Sequence, residues 1–221
     1  MNEKQLAGQK AASYVQDGMT VGLGTGSTVY WTILEIARMV KEGMKITGVA
    51  TSKNTEKLAQ EHGIPLASLE DVSSIDLTID GADELTEDLT LIKGGGGALL
   101  REKIIAYHST HMIVVADSSK YVNKLGTFPL PVEITPFGYA KTVNAIKKLG
   151  CDVSLRKEND VLFLTDNGNY IVDCSFSEID YPSTLHDRLN QLPGVVENGL
   201  FIGYAAKAII GQENTITYVE K

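Results

Sequence analysis

The chain has 221 residues, 43% of them hydrophobic, and a formal net charge of −8 at neutral pH. That is enough apolar material for one large domain or for a medium and a small one. The acidic balance, with no basic run, argues against a nucleic-acid surface, and no apolar run reaches membrane-spanning length. Cys151 and Cys174 are too few for a disulfide framework and suit a reducing cytoplasm, and the four histidines fall in no metal-ligand spacing.

In chain order, the stretch from Glu3 to Gln16 predicts a helix with Leu6, Ala7, Ala11, Tyr14 and Val15 on one stripe, and it contains no apolar signal core. A short buried strand follows over residues 19–23. Then Gly24-Thr-Gly-Ser-Thr28 opens an apolar helix from Val29 to Val40. A strand, a glycine turn and a helix N-terminus form an anion-binding unit, to which the Ser27 and Thr28 hydroxyls add donors. The phosphate-loop pattern GxxxxGK is absent. In the dinucleotide pattern GxGxxG, Gly22 and Gly24 fit, but Ser27 holds the third position. The next strand, residues 45–50, ends in Thr51-Ser52-Lys53 without the acidic residue that holds a ribose diol. A nicotinamide cofactor is therefore disfavoured and a single small phosphate preferred.

A helix from Thr55 to His62 precedes a buried strand over 75–79, which runs into Asp80-Gly-Ala-Asp83. Two carboxylates past a strand end suit chemistry, although Asp is also an ordinary turn residue. The most informative stretch is Ile92 to Glu102, IKGGGGALLRE. Four glycines let backbone amides approach a ligand, and their position between apolar segments is unlike a flexible linker. The helix that follows continues to about Ala106 and surrounds Glu102 with Ala98, Leu99, Ile105 and Ala106. A carboxylate drawn out of water has a raised pKa, as a general base near neutrality needs. The same residue would equally serve as a buried partner for a neighbouring Lys or Arg, and this stretch alone leaves both readings standing. A strand over 111–116 then ends in Asp117-Ser-Ser-Lys120. Strands alternating with helices imply a parallel sheet, whose carboxyl-end edge collects Thr25–Thr28, Ser52, Asp80, Asp83, Lys93, the glycine loop, Glu102 and Lys120 at one crevice.

Past Gly126 the pattern changes. A strand over 132–135, a helix over 139–149, a strand over 151–156, a hairpin of 161–165 with 170–175 around Asp166-Asn-Gly-Asn169, a helix over 184–192 and a strand over 195–202 give a ferredoxin-like order with one strand to spare. The expected fold is thus α/β: a Rossmann-like, mostly parallel sheet with helices on both faces, formed by residues 1–126 and 203–221. A smaller ferredoxin-like α+β domain over 127–202 carries little obvious chemistry and is expected to serve an interface.

Five ordered blocks, GTGST at 24–28, TSKNT at 51–55, DGADE at 80–84, KGGGGALLREK at 93–103 and ADSSK at 116–120, resemble type A ribose-5-phosphate isomerase. FPLPVEI at 128–134 and LPGVVENGLF at 192–201 extend the resemblance over essentially the full length. It implies interconversion of ribose 5-phosphate and ribulose 5-phosphate through a cis-enediolate, without metal or other cofactor, by a cytoplasmic homo-oligomer (dimer or tetramer). Carried over by residue, Glu102 matches the proton-transferring base and Asp80 the group that assists ring opening. Asp83, Lys93 and the amides of Gly94, Gly95 and Gly96 match substrate and oxyanion contacts. Lys4, Thr25, Gly26, Ser27, Thr28, Gly81, Ala82 and Lys120 match further substrate-binding positions. Lys53 departs from the small residue frequent at its place. The rivals are a non-catalytic sugar-phosphate sensor, which lacks a DNA-binding module here, and an NADP-dependent oxidoreductase using Ser52 and Lys53.

Overall fold

The structure, a computed structural model, describes residues 2–220. Helix α1 (Glu3–Ala12) is capped by the Asn2 side chain, which accepts from the Gln5 amide. It stops short of the expected Gln16 because Ser13, Tyr14 and Val15 turn back on the last helical carbonyls. Next come β1 (Thr20–Leu23), α2 (Val29–Lys41), β2 (Thr47–Ala50), α3 (Lys53–Glu61) and β3 (Ile75–Gly81). A short ribbon of β4 (Glu84–Leu85) and β5 (Leu91–Ile92) leads to α4 (Leu99–Tyr107) and β6 (Ser109–Asp117).

The remaining strands build two places. Strands β7 (Leu130–Ile134), β8 (Asp152–Leu155), β9 (Lys157–Glu158), β10 (Val161–Leu162), β11 (Tyr170–Ser175), β12 (Val195–Asn198) and β13 (Leu200–Phe201) run with α5 (Tyr139–Lys147) and α6 (Pro182–Asn190). The chain closes with β14 (Lys207–Gln212) and β15 (Thr215–Glu220).

The large sheet has the order β15-β14-β6-β3-β1-β2, parallel except for the edge strand β15. Alternate residues of β6 face opposite ways: Ile113 and Val115 pack with α1 and α2, while Met112, Val114 and Ala116 pack on the side of α4. Both faces are therefore covered, as a buried parallel sheet requires. The returning C-terminal pair β14–β15 completes this sheet. From β1 the chain passes to β2 on one side and then returns to β3 on the other. The loops after β1 and β3 consequently diverge around a topological switch point, where a crevice opens.

The second sheet has the order β12-β7-β11-β8, all antiparallel, which is the ferredoxin-like arrangement. Two expectations fail in it. Residues 161–165 do not pair with 170–175: β10 folds back on β9, and β11 pairs with β7 and β8. The physical cause is Glu133, fully buried on β7, which accepts from Thr165 Oγ1 at 2.9 Å, Asn169 Nδ2 at 2.8 Å and Asn167 Nδ2 at 3.2 Å. The Asp166–Asn169 turn is wrapped around this carboxylate instead of closing a hairpin. The expected strand 195–202 is likewise two strands in two sheets, because Gly199 crosses from one to the other. Its N–H donates to Pro131 O at 2.8 Å and its carbonyl accepts the Lys93 N–H at 2.9 Å, in a passage too close for a side chain. Strand β13 then pairs with β5, tying the small sheet to the ribbon that carries Lys93.

Among the described residues no helix is long and apolar enough to cross a membrane. Buried Glu84 on β4 fastens the same junction, accepting the Gly126 N–H at 2.7 Å and the Phe128 N–H at 2.6 Å. Glu84→Ala strands both donors, so urea unfolding is expected to show a loss on the order of 2–4 kcal/mol. A loss below about 0.5 kcal/mol would show that water replaces the carboxylate.

Candidate active site

Strand β1 ends at the glycine turn, and α2 begins with Thr28 at its N-cap, where the hydroxyl makes no capping bond. The N-terminal amides of α2 and the partial positive end of its dipole therefore face the switch-point crevice. Thr25 behaves differently from its neighbours. Its hydroxyl is held by Thr51, Ser52 and Thr55 at 2.8–3.1 Å, so it fixes the loop instead of adding a donor to the cleft. Lys4 reaches over from α1, bonding Ser27 Oγ at 2.9 Å with Asp117 4.0 Å away. Its helix is pinned by Glu3, which accepts the Glu213 N–H and the Ser118 hydroxyl and N–H; these bonds hold the Glu3 carboxyl below its usual range.

Across the cleft, β5 delivers Lys93 and the glycine loop. Gly94 has φ +102°, a conformation costly for any other residue, and a Cβ on Gly95 would overlap the Asp83 carboxylate. The Gly95 N–H donates to Asp83 Oδ2 at 2.7 Å. The loop ends in α4, which presents Glu102 in its first turn.

The centre is the Lys93 ammonium, almost fully enclosed. It stands 3.0 Å from Asp80 Oδ2 and 3.3 Å from Glu102 Oε1, and donates to Gly81 O at 2.6 Å. These neighbours, Asp80 first and then Glu102, hold its pKa up against burial. Glu102 is 3% exposed, and its Oε2 has no hydrogen-bond partner among the described residues. Burial pushes its pKa up to about 8, opposed by Lys93 and reinforced by the charges of Asp80 and Asp83. Burial also raises Asp83, with the Gly95 amide and the Lys93 charge working against it.

A cleft of about 130 Å³ is lined by Lys4, Thr25–Thr28, Gly81–Asp83, Lys93–Gly96, Glu102, Asp117 and Lys120. Most of the sequence-derived residues line this cleft, but Ser52 does not: it caps α3 and bonds the Thr25 hydroxyl. Asp117, at the end of β6, lines the cleft and was not singled out. Asp80 was expected to touch substrate, yet it is fully enclosed behind Lys93. Its Oδ1 accepts the Thr25 N–H at 3.0 Å and the Gly81 N–H at 2.7 Å, so it joins the two loops of the switch point.

Residues 47–215 match the model of the family described as ribose 5-phosphate isomerase A (phosphoriboisomerase A). The chain belongs to the ribose 5-phosphate isomerase A family. A ribose-5-phosphate isomerase A of Bacillus mycoides is 56% identical over 217 residues, covering 98% of each chain. Among solved structures, ribose 5-phosphate isomerase from Plasmodium falciparum superposes with a TM-score of 0.96 at 42% identity, covering 99% of this chain and 97% of that one. A D-ribose-5-phosphate isomerase solved with phospho-erythronic acid gives 0.96 at 39% identity over 100% of both chains. These family members match 98% or more of the chain, so the small sheet is included.

Sequence reasoning also passed over what the small sheet contributes. Arg101 on α4 donates to Asn167 Oδ1 at 2.9 Å, and Asp166 accepts the Lys53 N–H at 2.8 Å at the start of α3. Arg156 bonds the glycine loop itself.

A protonated Glu102 cannot accept a proton, so kcat/KM for a sugar phosphate should rise with pH and level off above about 8. That limb lies well above the second ionisation of the substrate phosphate, near pH 6. Asp80→Asn removes a negative neighbour, so it should move the limb to lower pH. A limb that stays in place in this variant would mean that another group sets it.

Proposed function

We propose that this chain interconverts ribose 5-phosphate and ribulose 5-phosphate, with Glu102 carrying the proton between C2 and C1. The observation that supports it most is the buried Glu102 carboxylate, a residue lining the cleft, with one oxygen on Lys93 and the other without a hydrogen-bond partner among the described residues. The phosphate binds the α2 N-terminus through the amides and hydroxyls of Gly26, Ser27 and Thr28, with Lys4 and Lys120 as counter-charges. Held there, the open-chain sugar lays C1 and C2 against the loop, and the reaction becomes effectively intramolecular.

The Glu102 carboxylate removes the C2 proton, and the electron pair forms the C1–C2 double bond while the C1 carbonyl oxygen becomes an oxyanion. The resulting cis-enediolate is stabilised by the Lys93 ammonium and by glycine-loop amides. Protonated Glu102 returns its proton to C1 as the O2 proton moves to O1, giving the ketose. Asp83 lines the cleft and has a raised pKa, so it is the group assigned to exchange hydroxyl protons with the sugar. Asp80 assists ring opening from behind, by holding Lys93 and both loops. The scheme uses no metal or other cofactor: the Lys93 ammonium supplies the positive charge for the enediolate.

The sensor alternative has no support from the relatives, which bear the names of isomerases. The assembly is proposed to be a dimer or tetramer through residues 127–202, where Phe137, Val161, Leu164 and Tyr181 stand exposed. Sedimentation would decide its size. Cys151 and Cys174, both buried and unpaired, fit work in a reducing cytoplasm.

Incubation with ribose 5-phosphate should give the ketose after exhaustive chelation and without added nucleotide. A loss restored by one divalent ion would overturn the metal-free scheme. Glu102→Gln should lose on the order of 10² to 10⁴ in kcat. Its affinity for an aldonic acid phosphate should hold within about tenfold. Exchange of the C2 proton with deuterium oxide, followed by NMR, reads the step directly. A variant exchanging at the wild-type rate would clear Glu102 of the role.

A further inference from the structure

Arg156 follows β8, and its side chain is 15% exposed. One nitrogen, Nη1, donates to the carbonyls of both Gly94 (2.8 Å) and Gly95 (3.0 Å). The other edge of the guanidinium grips Asp173 on β11, with Nε 3.0 Å from Oδ2 and Nη2 on Oδ1. Five donors in a rigid plane allow one side chain to satisfy a carboxylate and two carbonyls together. The Phe163 ring lies 5.9 Å from the same guanidinium carbon and occupies the space that a Cβ on Gly97 would enter. The small sheet therefore holds the glycine loop from behind.

Peptide planarity carries the consequence into the cleft. In a trans peptide the carbonyl and the following N–H point in opposite directions. With the Gly94 carbonyl on Arg156, the Gly95 N–H points away from Arg156, where Asp83 receives it. With the Gly95 carbonyl also on Arg156, the Gly96 N–H points away from Arg156 as well. It has no partner among the described residues, and Gly96 lines the cleft. Glycines have little preference among backbone conformations, so the loop sequence alone leaves this plane free to turn. A turned plane would show the Gly95 carbonyl oxygen to the enediolate and repel it.

We propose that Arg156 is a positioning residue that fixes the Gly95–Gly96 peptide plane, so that the Gly96 N–H donates to the enediolate oxygen. The proposal rests on the isomerase reading of the site. Asp173 keeps the guanidinium in plane, and Phe163 limits its departure.

The test compares the whole enzyme with Arg156→Ala and Arg156→Lys. Losing an oxyanion donor lowers kcat by roughly 10²- to 10³-fold, which is the loss expected for Arg156→Ala. KM and competition by inorganic phosphate should stay within about threefold, since the phosphate end is untouched. The four-carbon aldonic acid phosphate carries a planar carboxylate like the enediolate, and should bind at least about tenfold more weakly. Added guanidinium ion should recover part of kcat in Arg156→Ala, and the lysine variant should fall between, since an ammonium lacks the planar fork. A loss of kcat that guanidinium does not recover, with unchanged affinity for the acid, would reduce Arg156 to a fastening of the small sheet and overturn the proposal. A rise in KM with kcat intact would do the same. If the alanine variant fails to fold, a lysine variant with wild-type kcat overturns it. The aldonic acid affinity is read without turnover, so a failure here is distinct from a failure of Glu102 in proton exchange.

Discussion

A buried ammonium with two carboxylates against it is the constraint on which the rest of this structure depends. Lys93 is almost wholly enclosed, and such a charge is tolerated only with partners that meet it at close range. Asp80 and Glu102 come from β3 and α4, and Gly199 fixes the Lys93 backbone from the small sheet. Three parts of the chain must therefore fold correctly before the charge is paired. Burial raises Glu102, Lys93 offsets part of that rise, and the negative charges of Asp80 and Asp83 raise it further. A carboxyl whose pKa rises on folding binds its proton more tightly in the native state. Its contribution to stability is present at acid pH and is lost as pH climbs from 4.5 to about 8. Ionised Glu102 thus weighs on the fold in the pH range where it can act as a base, and the rigid surroundings hold it there.

The small sheet shapes the site without entering the cleft. Glu133 folds the Asp166–Asn169 turn about itself, and the turn carries Asp166 to the first amide of α3 and Asn167 to Arg101. Arg101 is the residue before Glu102, so the turn bears on the helix of the base. Lys103, the residue after it, is buried and paired with Glu197 on β12 at 2.8 Å, beside the Asn198 carbonyl. Both flanking cations of α4 are thereby committed to the second sheet, and Glu102 is left with Lys93. The question open at the sequence level, whether Glu102 partners a neighbouring cation, has a divided answer: Arg101 and Lys103 look elsewhere, while the residue across the glycine loop does pair with it.

What the sequence made legible follows from what is local. Short apolar runs ending in Gly, Ser, Thr, Asp and Lys fixed the parallel strands and the edge where their ends meet, because periodicity and turn chemistry act within a few residues. The convergence of Thr28, Asp83, Lys93 and Glu102 followed from topology alone. Contacts between sheets were not legible. Arg156 sits in Leu-Arg-Lys-Glu-Asn-Asp, which reads as an ordinary solvated charge run, and only the packed structure places its fork on glycine carbonyls. Asp166-Asn-Gly-Asn169 carries a strong hairpin signal, yet a buried carboxylate on another strand outweighs it. The burial of Asp80 was equally out of reach, since a polar residue at a strand end looks exposed until the loops close over it.

The proposed binding of a doubly charged phosphate by a protein of net charge −8 rests on where its charges are placed. Lys4 is bonded to Ser27 at the α2 N-terminus, and Lys120 lines the same cleft. The dipole and free amides of α2 add to them at short range, where the screening that mutes the distant acidic surface has little effect. Asp80 and Glu102 share the Lys93 ammonium at the reacting end, and Asp83 stands there too, under the weaker influence of Lys120 and Arg156. A dianion is attracted to the first group and repelled by the second. In the proposed reaction the field therefore favours one orientation of a sugar phosphate, with the phosphate on α2 and the aldehyde end over Glu102. In that orientation negative charge enters the carboxylate-rich end only as the enediolate forms, beside Lys93 and the loop amides. Charge placement alone thus links binding to catalysis: it favours the pose in which the charge that develops meets its fixed donors.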